Sequence, residues 1–183
     1  MDVVLETDRL TMRKFTADDL PWLIEMRSPE AVNRYLGGIK WQNPEALAVR
    51  LNFYIECCEK FGFGNCVMSI TETGEQIGSS GLQPLEDTGE IEVGYNLAEK
   101  HWRKGYGYES AMGWLRFGFE KCGLERIVAV AHPDNTGSWT IMEKCGMTYQ
   151  RTEEHYGQDC VFYAITREEF TKMRPPEISI RFG

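Results

Sequence analysis

His101-Trp102-Arg103-Lys104-Gly105-Tyr106-Gly107-Tyr108 lies between an alternating run that ends at Leu97 and a long amphipathic segment that follows. Two glycines with two cations at such a strand-to-helix turn suit a phosphate group. Gly105 and Gly107 allow close backbone approach or positive φ. The first-turn N–H groups of a helix lack helical acceptors, and its dipole favours an anion there. Arg103 and Lys104 add charge. An ordinary glycine-rich turn with solvated cations has the same local composition. Two competing phosphate motifs fail on inspection. A Walker A loop needs Lys-Ser/Thr after its second glycine, where this chain has Tyr108-Glu109, and a dinucleotide fingerprint needs a third glycine, where position 110 is Ser.

Upstream of this turn the chain reads as strands. Leu10 and Met12 alternate with Arg9, Thr11 and Arg13 over 9–14, and further strand-like runs cover 63–70, 76–82 and 90–97. Between the first two of these, Thr16 and Asp19 form a capping-box variant that opens a helix carrying Leu20, Leu23 and Ile24. Ser28-Pro29 predicts a second helix start with Gly37-Gly38 as its end, and Asn43-Pro44 predicts a third, whose apolar stripe (Leu47, Leu51, Tyr54, Ile55, Cys58) stops at Gly62. Downstream, a helix over 106–122, a strand over 126–131, a helix over 136–145 and a strand over 147–152 imply a parallel crossover. A final strand at 159–166 follows a Gly157-Gln158 turn, and the tail 174–183 is unassigned. With no repeat or linker, 1–183 reads as a single domain.

Composition narrows the function. The chain has 183 residues, 42% of them hydrophobic, and a formal net charge of -8. That charge opposes coating of nucleic acid or an anionic membrane and would attract a cationic partner. The N-terminus lacks a signal-peptide pattern, and no apolar run approaches the roughly 20 residues that span a bilayer, so a cytoplasmic location is expected. The cysteines (Cys57, Cys58, Cys66, Cys122, Cys145, Cys160) form no C-x-x-C pair, and His101, His132 and His155 share no helical ligand spacing. No metal is expected, and the thiols read as small apolar residues, Cys145 included.

The turn resembles the coenzyme A pyrophosphate loop of the GNAT superfamily of N-acetyltransferases, Gln/Arg-x-x-Gly-x-Gly/Ala, with Gly105 and Gly107 at the small positions. Trp102 stands at the Gln/Arg position, a departure shared by the ribosomal-protein N-terminal acetyltransferase-like (Rim-type) branch, whose W-x-K/R-G-Y-A/G run is similar to W-R-K-G-Y-G here. ETDRLTMRKFTADDL, SPEAVNRYLGG, EIEVGYNL and HPDNTGSWTIMEKCGM resemble further segments of that branch in order, from about residue 5 to about residue 170. The resemblance implies a mixed α/β fold: a central, mostly antiparallel sheet of six to seven strands, splayed at the fourth and fifth, with helices on both faces.

It also implies a site. Acetyl-coenzyme A would enter the gap between 91–97 and 126–131. Backbone groups near Val93, Tyr95 and Leu97 would pair with its pantetheine arm or polarise the thioester, and amides from Arg103 through Lys104, Gly105, Tyr106 and Gly107 to Tyr108 would hold the pyrophosphate. On this reading tryptophan at Gly107 would block the donor with the fold kept. Asn135 and Ser138 match positions contacting the arm, although plain N-capping explains them equally. Glu92 is the candidate base, directly or through water, or else an exposed strand carboxylate. Ser138 is the candidate for handling the leaving sulfur, Tyr156 or His155 enters from the acceptor side, and Tyr35, Trp41, Tyr54 and Glu56 would build the acceptor pocket, with Tyr54 as easily core. The implied partner is an amine: a basic protein N-terminus or a small cationic amine such as a polyamine or aminoglycoside. The enzyme would be a monomer or homodimer. The alternative is a non-catalytic acyl-coenzyme A sensor or assembly module on the same fold.

Overall fold

The computed structural model describes residues 2–36, 43–173 and 178–183. Among the described residues nine strands form one sheet: β1 (Val3–Glu6), β2 (Leu10–Lys14), β3 (Asn65–Ile70), β4 (Gln76–Pro84), β5 (Ile91–Leu97), β6 (Arg126–Ala131), β7 (Thr148–His155), β8 (Gln158–Thr166) and β9 (Arg181–Phe182). Their spatial order is β7-β8-β6-β5-β4-β3-β2-β1-β9, and every adjacent pair is antiparallel except β5 and β6. The mixed, mostly antiparallel sheet therefore agrees with the sequence reading, while its strand number exceeds six to seven. The two additional strands, β1 and β9, are too short to show alternation: β1 is held by β2, Leu5 opposite Met12, and β9 by β1, Phe182 opposite Leu5. The tail is thus an edge strand from Arg181 onward.

The helices are α1 (Leu20–Arg27), α2 (Glu30–Asn33), α3 (Pro44–Phe61), α4 (Tyr106–Arg116), α5 (Thr136–Lys144) and α6 (Arg167–Met173). Local signals set most of their ends. Asp19 accepts from the Thr16 N–H at 2.8 Å and pairs with Arg13 at 2.6 Å, which fixes the turn leading into α1. The Asn43 side chain accepts from Glu45 N–H at 2.8 Å with Pro44 at the first helical position, and Gly62 closes α3. Ser28 is a difference: it closes α1, its hydroxyl donating to Glu25 C=O at 2.8 Å, and Pro29 precedes α2. The preceding helix runs on to Arg27 and absorbs the expected start signal. Gly37 and Gly38 lie outside the described residues.

Helices cover both faces. Val67 packs with Phe15, Leu23, Leu47, Leu51 and Tyr54 under α1 and α3. Its neighbour Met68 packs on the opposite face with Met12, Ile77, Leu82, Met112 and Trp114 under α4. This period-2 alternation buries β3 on both sides. Strand β4 (QIGSSGLQP) is almost wholly buried despite its serines; Ser80 Oγ accepts from Trp114 Nε1 at 3.0 Å.

Candidate active site

The sheet opens where its one parallel pair fails to stay paired. Between β5 and β6 a single residue pair, Glu92 opposite Val128, is in register, and beyond it the strands part. Gly94, Tyr95 and Asn96 then face Val130, Ala131 and His132 across a cavity of about 150 Å³. Ala98 N–H donates to Ile77 C=O on the β4 side at 2.9 Å, so alternation turns the backbone groups of Val93, Tyr95 and Leu97 toward the opening. No bulge interrupts β5 on its β4 side, because the two strands pair without a shift from Gly78 with Leu97 to Pro84 with Ile91. Splaying alone frees the backbone. At Leu97 the carbonyl is already engaged, accepting from the Trp102 indole at 2.8 Å. Trp102 thereby ties the turn to the end of β5.

The glycine turn itself is preorganised. Arg103 (φ 60°) and Gly105 (φ 84°) take left-handed backbone, and the first helical bond of α4 runs from Glu109 N–H to Gly105 C=O at 3.0 Å. Amides before Glu109 therefore have no helical acceptor. Arg103 and Lys104 are exposed beside them. Gly107 differs from its expected role. It is buried, and a Cβ there would lie 2.9 Å from Ile141 Cδ1, so its smallness lets α4 approach α5. Tryptophan at this position would wedge those helices apart rather than leave the fold intact.

A buried staple, invisible to sequence reasoning, holds the turn. Glu109 (5% exposed) accepts from Thr7 Oγ1 at 2.7 Å, from Arg9 N–H at 2.8 Å and from Arg9 Nε at 2.6 Å. Arg9 Nη1 then donates to Lys104 C=O at 3.1 Å, and its guanidinium sits 4.7 Å from the Tyr106 ring centroid. A glutamate in a first helical turn ordinarily reads as a dipole partner, and nothing local reveals its partners about 100 residues away.

Glu92 is not an exposed strand carboxylate. It is 4% exposed and accepts from Gln83 Nε2 at 2.6 Å and from the Tyr156 hydroxyl. Burial raises its pKa above the usual carboxylate range against those hydrogen bonds and the charges of Arg50 and His155. Tyr156, raised still further above an ordinary phenol by burial and by Glu92, stays a donor. Its position comes from a two-residue hairpin turn, Tyr156 (φ 55°) and Gly157 (φ 76°), rather than from Gly157-Gln158. Glu86 grips that turn, accepting from Tyr156 N–H at 3.0 Å and bonding His155 Nδ1 at 2.8 Å. Of the two acceptor-side candidates, Tyr156 lines the cavity, whereas His155 is clamped between Glu86 and Glu153.

At the start of α5 the Asn135 side chain accepts from Ser138 N–H at 3.3 Å, so N-capping is real, and both residues also line the cavity. The Tyr95 hydroxyl donates to Ser138 C=O at 2.8 Å and lies 3.4 Å from Ser138 Oγ; burial holds that phenol protonated. Tyr35 and Tyr54 also line the cavity, Tyr54 while stacking on Phe15 at 5.4 Å; Glu56 faces solvent, and Trp41 lies outside the described residues. All six cysteines are free, and burial pushes the Cys145 thiol up to about 12, as suits packing. Among the described residues no helix is long and apolar enough to cross a membrane, and no group of three or more His, Cys, Asp or Glu is placed to hold a metal.

The acetyltransferase (GNAT) domain profile matches residues 9–148 of this chain. The chain belongs to the GNAT acetyltransferase family. Within it, an uncharacterized N-acetyltransferase of Bacillus subtilis, YoaA, is 31% identical over 155 residues, 84% of this chain and 87% of that protein. An Aspergillus fumigatus protein named FsC-acetyl coenzyme A-N(2)-transacetylase is 28% identical over 82% of this chain and 70% of its own length. The crystal structure of an acetyltransferase from Agrobacterium tumefaciens superposes with a TM-score of 0.77 at 27% identity, covering 88% of this chain and 93% of that one. This acetyltransferase is accordingly an enzyme that moves acetyl to nitrogen, rather than a binding-only module.

Proposed function

We propose that this acetyltransferase moves acetyl from acetyl-coenzyme A to a primary amine by direct attack inside the β5–β6 opening. The observation that carries the reading is the coincidence, in one cavity, of an unpaired parallel edge and a buried carboxylate with a raised pKa. The pantetheine arm would follow the free edge at Val93 and Tyr95, with Leu97 at its outer end beside Trp102. The pyrophosphate would sit on the amides between Arg103 and Tyr108, with Gly105 supplying the left-handed backbone and Arg103 and Lys104 the outer charge. The acetyl-coenzyme A in the name of the Aspergillus relative supports this donor.

The nucleophile must be a free amine, whereas α-amino and lysine groups have pKa values of about 8 and about 10.4. Glu92, directly or through water, takes the proton as nitrogen attacks the acetyl carbonyl carbon. The tetrahedral oxyanion is stabilised by main-chain N–H groups of the parted β5 edge. Its collapse forms the amide C–N bond and breaks the C–S bond. The departing thiolate meets the Ser138 and Tyr95 hydroxyls at the head of α5 as hydrogen-bond donors and is protonated from solvent to free coenzyme A, while Glu92 returns its proton to solvent. No covalent enzyme intermediate is required.

The Rim-type branch is part of this proposal and rests on the W-R-K-G-Y-G run. Of the acceptors it suggests, a protein N-terminus or a small amine, the cavity walls contributed by Tyr35, Arg50, Tyr54 and Tyr156 favour the small amine. The test is thiol release from acetyl-coenzyme A with a panel of small amines and peptide N-termini. Amine-dependent release is expected. Release that no amine stimulates, with coenzyme A bound normally, refutes the reading.

A further inference from the structure

The cavity wall built by the helices holds a buried cation, Arg27, for which the described residues supply no ion-pair partner. Arg27, at the C-terminal end of α1, is 6% exposed and lines the cavity, yet its Nε has no hydrogen-bond partner. Among the described residues it forms no ion pair. Arg50 of α3 lines the same wall, and the Tyr54 hydroxyl interacts with both guanidiniums. Both arginines remain charged in proteins. Among the described lining residues the one carboxylate is Glu92, which Gln83 and Tyr156 engage and whose charge acts on Arg50. A buried cation without a counter-charge is costly, and buried charges are as a rule paired.

Two buried neutral acceptors lie in the cavity wall without protein partners. Gln83 Oε1 and Asn65 Oδ1 belong to side chains 3% exposed that line the cavity, and neither oxygen accepts a hydrogen bond. The orientation of Gln83 is fixed, because its amide nitrogen is the group that donates to Glu92 at 2.6 Å. The cavity wall therefore holds a guanidinium that no described carboxylate pairs on the helical side and unpartnered oxygens on the β3–β4 side next to Glu92. A molecule complementary to both has an anion at one end and N–H donors at the other.

We infer that the acceptor is a primary amine carrying a carboxylate, an amino-acid-like molecule whose acid docks on Arg27 and whose nitrogen lies against Gln83 and Asn65, facing Glu92. The inference rests on the acetyl-transfer reading above and narrows its acceptor. It reverses the preference suggested by the chain's net charge of -8, because the lining residues, not the distant surface, set the potential at the reacting amine. A polyamine would place its second ammonium against two guanidiniums.

The test uses the full chain, acetyl-coenzyme A and matched acceptor sets: free α- and ω-amino acids, their carboxamides, the corresponding decarboxylated amines, aminophosphonates, polyamines and short peptides. At least one free amino acid should exceed its amide and its decarboxylated amine by about 100-fold or more in kcat/KM. Arg27→Gln should cut that ratio to below about tenfold, chiefly through KM, with Arg27→Lys intermediate because it keeps charge without the planar fork. Folding is tracked independently: Arg27→Met should raise Tm without ligand, since it removes an unmatched buried charge, and an N-acetylated amino acid should raise the Tm of the wild type more than that of the variant. Amides or decarboxylated amines used as well as the free acids overturn the inference while leaving acetyl transfer standing, as does an undiminished preference in Arg27→Gln. Preference for aminophosphonates over carboxylates also overturns it. Absence of release with every amine refutes the transfer reading and this inference with it.

Discussion

Glu109 offers the most direct test of how the donor loop is held. Glu109→Ala removes the acceptor of three hydrogen bonds at once, from Thr7 Oγ1, Arg9 N–H and Arg9 Nε. Leaving the part-buried Arg9 amide and the buried Thr7 hydroxyl short of an acceptor costs about 1–3 kcal/mol each at full desolvation. Thr7 lies near the low end, because its hydroxyl can turn to another acceptor. The Arg9 side chain is 49% exposed, so its ion pair is discounted to the surface range of about 0.2–1 kcal/mol. The total is about 3 kcal/mol, or a Tm lower by about 6–12 °C in a domain of this size. Glu109→Gln keeps Oε1 for Thr7 and the Arg9 amide and loses the bond from Arg9 Nε, so about 1 kcal/mol is expected. Arg9 also bridges to Lys104 C=O, so its release should loosen the turn and weaken coenzyme A binding by about tenfold, a difference of about 1.4 kcal/mol. Calorimetric unfolding and coenzyme A titration of the two variants read both effects. If Glu109→Ala melts within about 2 °C of the wild type, less than 1 kcal/mol by the same scaling, or binds coenzyme A with unchanged affinity, the staple is not what holds the loop.

Three further outcomes follow from the site. Glu92→Gln should lower kcat by about 100-fold or more and abolish the acid limb of the kcat/KM profile, which in the wild type should inflect above the roughly 4.3 of a free glutamate because the ionised form is the active one; superimposable profiles would remove Glu92 from the chemistry. Gly107→Ala places a Cβ 2.9 Å from Ile141 Cδ1, the movable end of a half-buried side chain, so the contact is offset by about 1 kcal/mol of helix propensity and Tm should stay within about 4 °C of the wild type, whereas a larger loss would mean that Ile141 cannot yield. Burial works against the charge on His155, yet Glu86 and Glu153 raise its pKa. Its contribution is therefore complete below the unfolded value of about 6.5 and fades as pH rises through the higher folded value. Urea unfolding across pH should show the wild-type advantage over His155→Gln shrinking toward alkaline pH, and a constant difference would contradict the clamp.

The sequence by itself determined the elements whose causes are local. Asn43-Pro44 and Gly62 bound α3 because capping and left-handed backbone depend on a few adjacent residues. Short strand-like runs located seven of the strands, with alternation at β2 and β5, because such patterning is a property of each segment alone. The glycine turn, its family and the transferred group were legible for the same reason: the motif is contiguous. Tertiary structure decided everything that depends on which segments meet. It paired β1 with β9 across nearly the whole chain, inserted β8 between β7 and β6, turned Gly107 toward α5, and closed Glu109 on Thr7 and Arg9. It also placed Arg27 and Arg50 in the cavity lining, which the chain's net charge does not reveal. Arg27, Asn65, Gln83 and Glu92 sit in segments where a polar side chain ordinarily points to water. Their burial around one cavity follows from long-range strand pairing and helix packing, a spatial coincidence that no local pattern of residues encodes.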